Sequence, residues 1–218
     1  GYNLHTKFEL PLIWMLMKLK LESGPVIGAT IPGIPAILMG RSKFISWGIA
    51  SSNLDNQDLV IEKINSKNPE EYLNEENYIS FKKRNVLIKI KDQPGLTYTV
   101  KSTKRGPIIP TEAYGIETIK TANTAIALKW TGFDSKDRSI ESFILAMKSK
   151  DLASARDAFR HLVVPSYNIL LANNENAIMV SAGKIPNRTK SGGDSYGVIP
   201  SLGWNNPMHW DGYIDFEE

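Results

Sequence analysis

Three short stretches of this chain hold residues whose type and spacing could do chemistry. Gly193-Asp194-Ser195-Tyr196-Gly197 satisfies G-x-S-x-G, the pattern of a serine nucleophile exposed on a sharp strand-to-helix turn. That turn needs an apolar strand before the serine and a helix after it. Asn187 to Ser191 (NRTKS) comes before and Val198-Ile199-Pro200 after, so both flanks are wrong and the stretch reads as a Gly-rich loop. Asp55-Asn56-Gln57-Asp58 sets two carboxylates three residues apart in a polar loop. Calcium takes carboxylate and carbonyl oxygens in such loops, but a solvated turn has the same spacing and is the simpler reading of spacing alone. Asn187-Arg188-Thr189 fits a glycosylation sequon, a triplet that also arises by chance.

What the chain lacks narrows the chemistry further. It has no Cys, which removes a thiol nucleophile, a disulfide scaffold and a Cys-ligated zinc. His5, His161 and His209 are far apart, against a His-rich metal site. Lys82-Lys83-Arg84, with Lys101, Lys104 and Arg105, reads as solvent faces of strands. Without interleaved aromatics, and with a net charge of only +3, no nucleic-acid partner is expected.

The elements that must position these residues follow from periodicity. With 218 residues, 42% of them apolar, the chain can bury a substantial core. Gly24 to Gly40 packs four Gly and three Pro among apolar residues, which predicts short buried strands joined by tight turns. Strands are expected at Phe44 to Ala50, Leu59 to Ile64 and Thr124 to Trp130. Val86 to Lys91 and Thr97 to Lys101 flank Gln93-Pro94-Gly95 as a hairpin, and Asn168 to Ala172 with Ala177 to Ala182 makes another. Lys67 to Tyr78 reads as a surface excursion. Ile140, Phe143, Ile144 and Met147 recur at helical spacing. Asp151 suits an N-cap ahead of Leu152, Ala155, Phe159 and Leu162. The stretch from Gly192 reads as ordered loop. Phe8 to Leu21 is too short and too charged for a membrane span, and it lacks a signal-peptide cleavage site. Strands, then two helices, then strands predict an α+β fold.

Several segments, in order, resemble the penicillin acylase (penicillin amidase) family of N-terminal-nucleophile hydrolases. His5, Pro11, Ile13 and Trp14 resemble its H-x-G-x-x-x-P-x-x-W stretch, and GATIPGIPAILMG (residues 28–40) its G-A-T-x-P-G-x-P segment. Ile45-Ser46-Trp47-Gly48, with Asp55, Gln57, Asp58 and Glu62, resembles I-x-W-G followed by D-x-Q-D-x-x-x-E. Arg105-Gly106-Pro107, Ala127 to Asp134, Val164-Pro165-Ser166, Gly183 to Pro186, Trp210-Asp211-Gly212 and Phe216 to Glu218 continue the run.

The resemblance implies part of a four-layer αββα sandwich. It also implies an amidohydrolase that cuts a linear amide of an acylated small molecule: a penicillin, an N-acyl homoserine lactone or a lipopeptide. The family's nucleophile is a Ser exposed by self-cleavage at the start of the β chain, with its own α-amino group as base. By alignment Ser51 supplies a backbone N–H to the oxyanion hole, and Thr6, Met39 and Ile49 match acyl-pocket positions. A structural calcium is implied at Asp55, the Gln57 carbonyl, Asp58 and the Pro186 carbonyl. The α chain of the same precursor is the implied partner.

Two features depart from the family pattern. Arg105 stands where the family usually has His before Gly-Pro, and Ser52-Asn53 replaces a Gly-rich neighbour of the calcium loop. The nucleophilic Ser is expected upstream of His5 and the oxyanion Asn beyond Glu218. Residues 1–218 are therefore read as a β-chain core incomplete at both ends, inactive alone. A catalytically dead homologue serving as a binding or assembly subunit is the rival reading. Bacterial relatives are commonly exported; the compartment here stays open.

Overall fold

The computed structural model describes residues 10–188, 197–205 and 210–217. In chain order the strands are β1 (Met15–Leu21), β2 (Gly24–Thr30), β3 (Met39–Arg41), β4 (Ser46–Ser51), β5 (Gln57–Lys63), β6 (Glu71–Asn74), β7 (Asn77–Ser80), β8 (Lys82–Ile88) and β9 (Leu96–Ser102). Helix α1 (Thr111–Tyr114) and β10 (Thr124–Trp130) precede the main helices α2 (Ser139–Lys148) and α3 (Leu152–Ala158). Strands β11 (Tyr167–Ala172), β12 (Ala177–Ala182), β13 (Pro186–Arg188), β14 (Ser201–Leu202) and β15 (Trp210–Tyr213) follow. The α+β class read from the sequence holds. The chain divides into two compact units, residues 1–55, 131–185 and 214–218 forming the first and residues 56–130 and 186–213 the second.

The first unit is a six-stranded sheet in the order β1-β2-β3-β4-β11-β12, each neighbouring pair antiparallel. One face packs on α2 and α3. Val26, Trp47, Ile49, Ile169, Leu171 and Val180 from the sheet meet Phe143, Met147, Ala155 and Phe159 from the helical segment in one buried cluster. Helical spacing placed those helix residues correctly, and Asp151 caps α3 by accepting from the Ser154 N–H at 2.7 Å.

Two glycines let the sheet close beneath Ile37. A Cβ on Gly28 would lie 2.0 Å from the Met39 carbonyl oxygen and 2.6 Å from Gly40 Cα, so β2 and β3 approach as only glycine allows. Trp47 Nε1 donates to the Ile37 carbonyl at 3.2 Å, fixing the turn that carries Ile37.

The second unit is built on β10-β5-β14, with β10 antiparallel and β14 parallel to β5. Hairpins β6–β7 and β8–β9 and the ladder β13–β15 complete it. On β5, Asp58, Val60 and Glu62 are buried while the residues between them are not. The inward face of this strand thus carries two carboxylates around a single valine.

The structure extends the expected elements in three places. Phe8 to Leu21, read only as too short for a membrane span, contains β1, where Met17, Leu19 and Leu21 are half-buried and Lys18 and Lys20 are exposed. The expected surface excursion over Lys67 to Tyr78 contains the hairpin β6–β7, with Tyr72 buried and stacked on Phe81 at 5.0 Å between centroids. In the C-terminal stretch read as loop, short strands β14 and β15 form among the described residues. No helix among the described residues is long and apolar enough to cross a membrane.

Candidate active site

Strand β4 carries the residues expected to act. Trp47, Ile49 and Ser51 share one face by strand alternation. Trp47 and Ile49 are buried, Ile49 at 1% exposure, whereas Ser51 ends the strand in the open, paired across the ladder with Tyr167. Burial raises the Tyr167 hydroxyl above its ordinary value. Just beyond, Asn53 adopts φ +52°, a left-handed conformation that Asn tolerates better than most residues other than Gly.

Met39 and Ile49 fall in the same apolar cluster, Ile49 inside it and Met39 half-buried at its margin. Met39 also walls an open groove of about 570 Å³ on the sheet, together with Ile27, Arg41, Ser46, Trp47 and Leu170. This groove lies at the opposite end of β4 from Ser51, roughly 16 Å away by strand rise. Thr6 lies outside the described residues, as do Gly193 to Tyr196 of the G-x-S-x-G stretch and Thr189 of the sequon.

A larger cavity of about 1000 Å³ in the first unit is rich in basic residues, among them Arg156, Arg160, His161 and Lys184. Three of its cations are internally matched. Arg156 and Arg160 both bind Glu217 and lie over the Phe216 ring, and Lys184 pairs with Asp134. The two guanidiniums hold the Glu217 carboxyl down at about 2.

Of the implied calcium ligands, Asp55 belongs to the first unit and Gln57, Asp58 and Pro186 to the second. Asp58 already faces a cation. Arg188 Nε donates to both Asp58 carboxylate oxygens at 3.1 Å, and Arg188 Nη2 lies 3.4 Å from the Gln57 carbonyl oxygen. Trp210 Nε1 donates to the same carboxylate. Asp58 and Arg188 side chains are only 5% and 8% exposed. Lys129 stands opposite Asp58 in the β5–β10 register, its ammonium 4.4 Å from the Trp210 ring centroid. Its pKa falls below the ordinary lysine value through burial; Asp58 opposes that fall, while Arg105 and Arg188 add to it. Among the described residues no three His, Asp or Glu side chains converge as a metal site. In this unit Asp58 faces a guanidinium and an indole N–H.

Four residues along β5, Glu62 forms the matching pair. It is fully buried, and Arg105 Nη1 donates to its two oxygens at 3.2 and 3.1 Å. Arg105 Nη2 also donates to the Gly203 carbonyl. Burial raises the Glu62 pKa, and Arg105 opposes the rise. The sequence marked Glu62 and Arg105 as motif positions, but nothing local to either showed that they meet; the cue was a charged residue at an inward position of a strand.

The six-stranded sheet backed by two helices has the N-terminal-nucleophile hydrolase fold. The chain belongs to the penicillin amidase family, whose model matches residues 2–218. An acyl-homoserine lactone acylase QuiP from Pseudomonas fluorescens is 28% identical over 203 residues, which is 93% of this chain and 24% of that protein. Penicillin G acylase of Escherichia coli is 28% identical over 196 residues, 88% of this chain and 21% of its own. The solved thermostable penicillin G acylase from Alcaligenes faecalis superimposes with a TM-score of 0.82 at 21% identity, covering 95% of this chain and 36% of its own. The chain spans about a quarter of the length of the curated relatives it matches.

Proposed function

We propose that the protein containing this chain hydrolyses the linear amide of an acylated small molecule, an N-acyl homoserine lactone or a penicillin. The observation that supports this most is the relationship to acylases across 93% of the chain, with Ser51 at the open end of the strand that leads from the apolar cluster. In this reading a Ser upstream of the chain attacks the amide carbonyl, its hydroxyl proton passing to its own α-amino group. The Ser51 N–H helps hold the oxyanion as the C–O bond forms. The C–N bond then breaks, the α-amino group hands the proton to the leaving amine, and water hydrolyses the acyl-enzyme. Met39 contributes apolar surface to the acyl side, Ile49 lies buried in the cluster it packs on, and an α chain cut from the same precursor completes the site.

The test uses the full-length natural protein. N-terminal sequencing of its β chain should find Ser, Thr or Cys first. Incubation with N-acyl homoserine lactones and penicillin G should release free homoserine lactone or 6-aminopenicillanic acid, read by mass spectrometry. A β chain starting with any other residue, and no amine released from either class, would favour an inactive binding subunit instead.

A further inference from the structure

In the second unit, we infer that Arg188 is the resident cation of the loop entering β5, in the place the family resemblance gives to calcium, so that this loop is held without a metal. The guanidinium satisfies two of the acceptors the resemblance assigns to the ion, the Asp58 carboxylate and the Gln57 carbonyl. One planar cation with five donors can serve a carboxylate and a neighbouring carbonyl at once. Trp210 Nε1 takes a further acceptor position on Asp58.

Space closes the remaining side. Gly197, at φ +91°, packs its Cα on the pair: a Cβ there would lie 2.1 Å from Asp58 Oδ1 and 2.9 Å from Arg188 Nε. This explains a glycine that the serine-nucleophile pattern had suggested for another reason. Charge argues the same way. A divalent ion at Asp58 would sit beside Arg188 and Lys129, two cations held in a mostly buried site where repulsion is screened far less than in water. To enter, the ion would have to displace Arg188 from a position where it is 8% exposed.

The experiment measures calcium binding to the metal-stripped full-length protein by isothermal titration calorimetry, with melting temperature followed in excess EDTA and in millimolar calcium chloride. The same measurements are made on Asp58→Asn, Arg188→Ala and Arg188→Lys. The expected result is no calcium binding that Asp58→Asn removes, and no melting shift of the wild type between EDTA and calcium. Arg188→Ala should melt well below wild type, and Arg188→Lys in between. A rise in Arg188→Ala melting temperature with calcium supports the same substitution from the other direction. Stoichiometric calcium binding by the wild type that Asp58→Asn abolishes would overturn the inference, and so would an Arg188→Ala variant as stable as wild type. Should Arg188→Ala fail to fold, the wild-type and Asp58→Asn titrations decide the question alone.

Discussion

Removing Arg105 would strand a carboxylate that has no access to water. Glu62 is fully buried, and Arg105 approaches both of its oxygens within 3.2 Å. Removing one partner of a buried ion pair costs about 3–5 kcal/mol. Protonation limits the loss. At pH 7, neutralising a carboxyl whose ordinary value is 4.5 costs roughly 3.4 kcal/mol, so Glu62 in Arg105→Ala takes up a proton rather than remain charged. Loss of the hydrogen bond from Arg105 to the Gly203 carbonyl adds about 1 kcal/mol. The expected destabilisation at pH 7 is therefore about 4 kcal/mol.

The pH dependence separates this mechanism from simple loss of packing. Burial already raises the Glu62 value, and without Arg105 the opposing influence is gone, so the folded value rises further. Stability tied to the protonated carboxyl is fully present below 4.5 and is lost as pH rises through the raised folded value. The gap between Arg105→Ala and wild type should thus shrink as pH falls from 7 to 5, measured by urea denaturation of the full-length protein. Arg105→Lys, which keeps the charge but not the fork, should fall between the two. Replacing the pair together, as Glu62→Gln with Arg105→Met, should cost less than Arg105→Ala alone. An equal gap at both pH values, or a loss below about 1 kcal/mol at pH 7, would refute the reasoning.

Two further outcomes are expected. Gly28→Ala would drive a Cβ into the Met39 carbonyl and the Gly40 backbone, neither of which can rotate away, so urea titration should show a loss above about 3 kcal/mol or no folded protein. Glu217 should titrate at about 2 in carbon-detected NMR, because Arg156 and Arg160 stabilise its anion. Its contribution to stability is then complete above its ordinary 4.5 and disappears as pH falls through about 2; a midpoint near 4.5 would show that the arginines do not hold it.

Elements governed by local spacing were legible without coordinates. Strands β10 and β12 fall at the expected residues, and α3 begins one residue after its Asp151 cap. The colinear motifs pointed to the penicillin amidase family, which the match over residues 2–218 shows. Strand β1 escaped notice because its alternation of Lys18 and Lys20 with Met17, Leu19 and Leu21 sits in a stretch weighed as a membrane span. Tyr72 escaped because its neighbours are acidic and polar, and its burial depends on Phe81 across the hairpin fold-back.

The sequence alone thus determined the fold class, the helix and strand positions set by periodicity, and the family. Each rests on residues near one another in the chain or on motifs read in order. Only the tertiary structure decided which charges meet: Glu62 and Arg105 are 43 residues apart, Asp58 and Arg188 130 apart. A carboxylate three residues from another looks the same in sequence whether a metal, water or an arginine faces it. The choice is made by the strand register that turns Asp58 and Glu62 inward and by the distant segments, each placed by its own backbone pairing, that bring a guanidinium to each.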